Sequence, residues 1–376
     1  YVKPKFYMTN SGLYTMAKKG SWRAETHASK YWIHPYPNIP GQRKMRNKLR
    51  VIFMDDVANV RAIEETLSSV RDWLRTNIPE FFGAWLNPLI GVNPELTKFV
   101  DRHAYFVESD YEGMDMHFTI KIVVELILPI YELLAPDTYL SFASFVEELF
   151  RQSLFMGDYI ITGLHTIFSG QAFTNDFETI YSVILYLGKC LYYGILDNIV
   201  MKAIGDDVTL GILRCTERFP NYLLESIIDS SNQAGMVIHS VESGKSAIRK
   251  GETIFCRKVY YPAGIRRDGI LMGAYPSPLV LNNILQPERL SPTPGRTVIA
   301  TLQRLDNAVG APDYSQLVQR VISATTLDLL RFDSSDLENE QDKDWWFRVY
   351  GEKWDPDSSP TFTRLKTHPE MLKSQH

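Results

Sequence analysis

The sequence predicts an α+β protein in which helices cover one face of an antiparallel sheet. Three observations carry that expectation. Between positions 104 and 261 the apolar pattern reads strand, helix, hairpin, helix, strand. Within it, Ile199 to Ile212 forms two short apolar runs around Gly205-Asp206-Asp207, the pattern of a hairpin with carboxylates at its tip. The composition is that of an ordinary globular chain: 376 residues, 45% hydrophobic, 22% charged and 12% aromatic, long enough for several cores.

Taken in order, residues 1–42 are rich in Tyr, Trp and Pro without a period, and are predicted to be irregular. Arg43, Lys44, Arg46, Lys48 and Arg50 follow as a basic run. Net charge is −4, so a local cluster of this kind implies one anionic site rather than general polyanion binding; a solvated basic face is the plainer explanation. Val51–Met54 reads as a strand, and Val57, Val60, Ile63, Leu67 and Val70 as a helix. Pro79, Gly83, Pro88, Gly91 and Pro94 make 76–103 look loop-rich.

Ala104–Val107 is a buried-strand run ending at Asp110. A long apolar helix is predicted from Met116 to Leu134, and another helical region over 139–155. Phe168–Ala172 reads as a turn, followed by a helix with Phe173, Phe177, Ile180, Ile184, Leu187 and Leu191 at helical spacing. After the carboxylate hairpin come a helix over Tyr222–Ile228, a strand at Met236–Ile238 and a hairpin strand over Thr253–Tyr261. Pro287, Pro292, Pro294 and Gly295 mark a boundary. Beyond it lie a helical stretch over 297–331 and an acidic, Trp-rich tail.

Cys190, Cys215 and Cys256 are odd in number and widely spaced. They offer no disulfide framework or zinc spacing, and fit a reducing, intracellular setting. The most apolar stretch, Ile122 to Leu134, contains Glu125, Pro129 and Glu132 and is too short to span a bilayer. No signal peptide is visible. His103, His117, His165 and His239 lack ligand spacing and read as structural.

The chemistry gathers at the carboxylates. Adjacent Asp206 and Asp207 repel each other unless a cation neutralises them, and hard oxygen ligands select magnesium or manganese. A solvated turn explains the same residues without a metal. Asp110 tilts the balance: it ends one strand as Asp206 ends another, and a sheet can place the two ends side by side. Two divalent ions about 3.5–4 Å apart need such a set for phosphoryl transfer. The basic run would clamp a triphosphate, and Ser169-Gly170 would supply a flexible backbone loop.

These residues, in this order, resemble the palm of a viral RNA-dependent RNA polymerase. Asp110-x4-Asp115 is similar to motif A, Ser169-Gly170-x3-Thr174 to motif B and Gly205-Asp206-Asp207 to motif C. Lys44 to Arg50 with Val51-Ile52 is similar to motif F, Gly235 through Lys245 to motif D, and Phe255-Cys256-Arg257-Lys258 to motif E. Glu178 departs from the Asn that many positive-strand virus polymerases carry, and looks like the double-stranded RNA viruses of the picobirnavirus and partitivirus group. The order A, B, C argues against the permuted palms.

The resemblance implies a right-hand polymerase of fingers, palm and thumb, with an antiparallel palm sheet packed on helices. It assigns 1–100 to fingers cut short at the N-terminal side, 101–122 to palm motif A and 123–165 to an insertion. Palm motifs B to E would fill 166–262, and a thumb with the C-terminal segment 263–376. It implies RNA synthesis from ribonucleoside triphosphates with two Mg2+ or Mn2+ ions held by Asp110, Asp206 and Asp207. Lys245 would protonate the leaving pyrophosphate, with Lys250 as its competitor. Arg46, Lys48 and Arg50 would hold the triphosphate, and Asp115 would read the ribose 2′-hydroxyl. Ser169, Gly170, Thr174 and Glu178 would shape the nucleotide pocket, while Arg257 and Lys258 would hold RNA. Asp115 as a helix-dipole carboxylate and Thr174 as an N-cap remain alternative readings. Template RNA and a capsid protein are the implied partners, with the virion interior and host cytoplasm as location and no membrane span. A reverse transcriptase-like enzyme and a catalytically silent RNA-binding virion protein are the rival functions.

Overall fold

The computed structural model describes residues 30–35, 49–54, 57–86, 88–151, 154–156, 159–161, 163–167, 171–285, 301, 304–305 and 308–324. They fall into two compact units, divided between Cys256 and Arg257.

The first unit opens with β1 (Lys30–Pro35) antiparallel to β2 (Leu49–Met54), so part of the segment expected to be irregular is a strand. A long helix, α1 (Val57–Asn77), follows. The loop-rich expectation for 76–103 is wrong. That stretch folds as α2 (Pro79–Phe82), a 3-10 turn, α3 (Pro88–Gly91) and α4 (Asn93–Asp101). Its prolines sit in the first turns of these helices, where a missing N–H loses no bond and a fixed φ suits the helix.

After β3 (Tyr105–Ser109) and the short α5 (Met114–His117), the predicted long helix is interrupted at Phe118 and Thr119. It resumes as α6 (Ile120–Ile122), a π-helical turn over Val123–Ile127 and α7 (Leu128–Leu134). Pro129 is the second residue of that last piece and accounts for the break in register, since its nitrogen cannot donate to the turn before it. Next come α8 (Pro136–Leu149), which is shorter than expected because a strand takes its C-terminal part, and the pair β4 (Leu154–Met156) and β5 (Tyr159–Ile161). The remaining elements of this unit are α9 (Thr174–Tyr192), β6 (Ile199–Ile204), β7 (Asp207–Ile212), α10 (Phe219–Gln233), β8 (Ala247–Lys250) and β9 (Thr253–Phe255).

The sheet that positions the site has the order β6-β7-β3-β8, antiparallel throughout. Its edge strand β8 replaces the strand expected at Met236–Ile238, where Ile238 forms only an isolated bridge to Tyr111. Arg249 and Lys250 mark β8 as an edge, where charge is tolerated and apolar alternation is weak. One face packs on α9 and α10: Met201, Ala203, Val208 and Leu210 join Phe177, Ile180, Tyr181, Leu223 and Ile227 in one buried core. The other face is not bare, contrary to expectation, because α2 and α4 lie against β6. There Lys202 is fully buried, donating from Nζ to the Pro79 and Glu80 carbonyls at 3.2 and 2.8 Å and to the Glu95 carboxylate. Burial pulls its pKa below the ordinary lysine value, against the pull of Glu95.

The second unit contains β10 (Lys258–Tyr260), the hairpin of β11 (Arg266–Arg267) and β12 (Ile270–Leu271), α11 (Ser277–Leu285) and a helix over Tyr314–Ala324. The proline-rich boundary, parts of the helical stretch expected over 297–331 and the Trp-rich tail lie outside the described residues. No helix among the described residues is long and apolar enough to cross a membrane.

Candidate active site

The carboxylate turn follows directly from strand pairing. Ile204 stands opposite Asp207, leaving Gly205-Asp206 as a two-residue connection. Gly205 has φ +59°, and glycine at this first position relieves the steric penalty of a positive φ. Helix α9 holds the turn from below. The Gly205 N–H donates to Thr179 Oγ1 at 2.8 Å, and Ser182 Oγ donates to the Gly205 carbonyl at 3.3 Å. Thr179 in turn donates to the Asn175 carbonyl at 2.6 Å. A Cβ on Gly205 would lie 3.3 Å from Asn175 Oδ1 and 3.4 Å from Glu178 Oε2, which puts the buried Glu178 carboxylate beside the turn.

The register of β3 against β7 brings in Asp110. Ser109 pairs with Val208, so Asp110, the next residue on one strand, and Asp207, the preceding residue on the other, share one sheet end. Asp110 is clamped through its main chain. Its N–H donates to Ser246 Oγ at 3.3 Å, and its carbonyl accepts the His239 N–H at 2.9 Å. Its Oδ2 lies 3.8 Å from His239 Nε2, and Lys245 Nζ lies 2.6 Å from the same ring nitrogen. Asp110, Asp206 and Asp207 are all exposed to solvent.

Tyr111 is buried between β3 and α9, edge-on to Tyr181 at 6.5 Å. Burial pushes its phenol pKa well up, with smaller contributions from Tyr186, Tyr181 and Asp206. Glu108 anchors the floor: it accepts bonds from Arg249 Nε, Thr253 Oγ1 and the Ile254 N–H at 3.0, 2.9 and 2.6 Å. Burial raises its pKa above the ordinary glutamate value despite those donors.

The other expected residues are distributed as follows. Asp115 lies in the first turn of α5, where Oδ1 accepts the Met116 N–H at 3.0 Å, as a helix-dipole carboxylate does. Thr174 is the first helical residue of α9, the cap position being Phe173. Lys250 pairs with Tyr105 at the end of β3 remote from Asp110 and lies 5.1 Å over that ring, so the two competing lysines part company. Arg257, with φ +63°, and Lys258 open the second unit. Arg50 lies on β2, opposite His34. Lys44, Arg46, Lys48, Ser169 and Gly170 lie outside the described residues.

As the side chains stand, no three His, Cys, Asp or Glu among the described residues converge to hold an ion. The backbone nonetheless gathers three carboxylate-bearing positions at one sheet end, and this all-oxygen donor set suits a hard divalent cation. Sequence reasoning missed His239 and Ser246, because nothing in their spacing reports a pairing with Asp110.

No protein-family model matches the chain, and no curated protein does. Solved structures do. The RNA-dependent RNA polymerase of a human picobirnavirus matches with a TM-score of 0.61 at 18% identity, over 75% of this chain and 53% of that one. Its insertion-loop deletion mutant matches with the same TM-score and identity, over 85% of this chain and 61% of that one. The chain thus spans between half and two thirds of the length of these structures. In fold, it is similar to a picobirnavirus RNA-dependent RNA polymerase.

Proposed function

We propose that this chain is the catalytic part of an RNA-directed RNA polymerase of a double-stranded RNA virus, synthesising RNA on an RNA template from ribonucleoside triphosphates. The observation that carries the reading is the β3–β7 register, which sets Asp110 beside the Asp206-Asp207 hairpin tip. The likeness in fold supports it. In this reading 1–100 would belong to the fingers, 101–122 and 166–262 to the palm around an insertion over 123–165, and 263–376 to the thumb and C-terminal segment.

In this reading Asp110, Asp206 and Asp207 hold two Mg2+ or Mn2+ ions. Held there, such ions would supply charge neutralisation of the phosphates and acidification of the attacking hydroxyl. The protein does the rest. Lys245 Nζ gives a proton to the departing pyrophosphate, a general-acid step. Arg46, Lys48 and Arg50 orient the triphosphate, and Asp115 with Glu178 selects the 2′-hydroxyl, the group that separates RNA from DNA. Glu178 accepts hydrogen bonds where Asn also donates, so the sugar hydroxyl would be the donor. Ser169, Gly170 and Thr174 line the nucleotide pocket, while Arg257 and Lys258 hold the growing strand. We place this activity in the virion interior and host cytoplasm, beside a capsid protein.

The test is incorporation of labelled ribonucleotides and deoxyribonucleotides on a single-stranded RNA template. Ribonucleotide incorporation is the expected result. Deoxynucleotide incorporation alone would make the chain a reverse transcriptase, and none of either from folded protein would leave a silent RNA-binding protein.

A further inference from the structure

We propose that His239 is a positioning residue that braces Asp110 and aims Lys245, an inference that rests on the polymerase reading above. The argument begins in the main chain. The Asp110 N–H donates to Ser246 Oγ, Ser246 Oγ donates to the His239 carbonyl, and the His239 N–H donates back to the Asp110 carbonyl. This ring of hydrogen bonds closes on itself, and Ser246 is only 2% exposed. The Glu112 N–H extends the pairing by donating to the Val237 carbonyl at 2.8 Å. His239 and Asp110 therefore share one frame, and their side chains start from fixed points.

The imidazole turns toward charge rather than into the apolar core. Its Nε2 lies 2.6 Å from Lys245 Nζ and 3.8 Å from Asp110 Oδ2, and its Nδ1 lies 4.0 Å from Glu112 Oε2. Nε2 is thus the ring atom that Lys245 and Asp110 share, while Nδ1 faces Glu112. One ring nitrogen thereby stands within 4 Å of both Lys245 Nζ and the Asp110 carboxylate. Groups behind a ligating carboxylate set its orientation, and losing one typically lowers metal affinity or activity about 10–100-fold. If only the main-chain bonds mattered, any residue at 239 would serve.

The test compares wild type, His239→Ala, His239→Gln, Lys245→Ala and the His239→Ala/Lys245→Ala double variant. It reads single-turnover nucleotide incorporation and, separately, Mn2+ binding to the RNA-free protein by calorimetry. His239→Ala should lower the incorporation rate about 10–100-fold and weaken Mn2+ binding about 10-fold, leaving the nucleotide concentration for half-maximal rate nearly unchanged. His239→Gln should recover part of the rate, because its amide oxygen accepts from Lys245; it also serves if the alanine variant fails to fold. In the Lys245→Ala background the His239→Ala loss should shrink, as coupled residues do. Wild-type rate and Mn2+ affinity in His239→Ala would overturn the proposal. A wild type that incorporates nothing sinks the polymerase reading instead, and the Mn2+ comparison then decides His239 alone, equal affinities overturning it.

Discussion

Ser109 on β3 pairs with Val208 on β7. This one pairing makes Asp110 a neighbour of the adjacent Asp206 and Asp207, distant from it in sequence, at a single sheet end. A slip of one residue would swap the faces of every side chain on β3. It would carry Phe106 and Val107, both fully buried, out of their present packing. The site's geometry is thus tied to the apolar core beneath it, and each part of that tie is open to measurement.

Gly205→Ala tests the hairpin tip. The φ of +59° and the oxygens of Asn175 and Glu178 within 3.4 Å of the added carbon leave a side chain poorly accommodated. The left-handed conformation alone costs about 1–2 kcal/mol. Denaturant titration should show that loss, and nucleotide incorporation should fall with it because Asp206 is the next residue.

The Lys202 peg behaves differently according to which partner is removed. Glu95→Ala leaves a fully buried ammonium with only the Pro79 and Glu80 carbonyls, and should cost about 3 kcal/mol by urea unfolding. Lys202→Met, which removes the charge and keeps the volume, should cost less than Glu95→Ala. The reverse order would mean that the ion pair is a net source of stability.

Arg71 joins α1 to the first turn of α9. It donates from Nε and Nη2 to the two oxygens of Asp176 at 2.8 and 2.6 Å. Asp176 is 2% exposed, and burial raises its pKa although Arg71 opposes the rise. Arg71→Lys cannot restore the paired fork, and should therefore lose most of the stability that Arg71→Ala loses, about 3 kcal/mol. Thermal unfolding of the two variants checks this.

Glu108 gives a pH signature. Its folded pKa is raised, so the native state binds its proton more readily than the unfolded chain does. The stability it contributes is full below the ordinary glutamate pKa of 4.5 and is lost as pH rises through the folded value. Urea unfolding should therefore show wild type gaining on Glu108→Gln as pH is lowered from neutrality toward 4.5. A gain in the opposite direction would contradict the buried-carboxylate account.

Much of this site was legible in the residues, and the reasons are physical. β3, the β6–β7 hairpin and α9 are apolar runs with turn residues at their ends, so period and punctuation agree. The helices over 79–101 were misread because proline begins a helix as readily as it breaks one. β8 went unseen because an edge strand ending Arg249-Lys250 shows no apolar alternation. Lys202 is a charge inside an apolar strand, and only α2 and α4 supply the carbonyls and carboxylate that bury it. His239 was set aside for want of ligand spacing, yet its partners come from strand pairing, which spacing does not encode.

The central claim is that Asp110, Asp206 and Asp207 act together as a catalytic centre. The most direct measurement is labelled ribonucleotide incorporation on a single-stranded RNA template with Mg2+ or Mn2+, wild type against Asp206→Ala. The account predicts incorporation by wild type and a loss of about 100-fold or more in the variant, as expected when a charge-stabilising group is removed from an active site. Equal incorporation by the two proteins would contradict it.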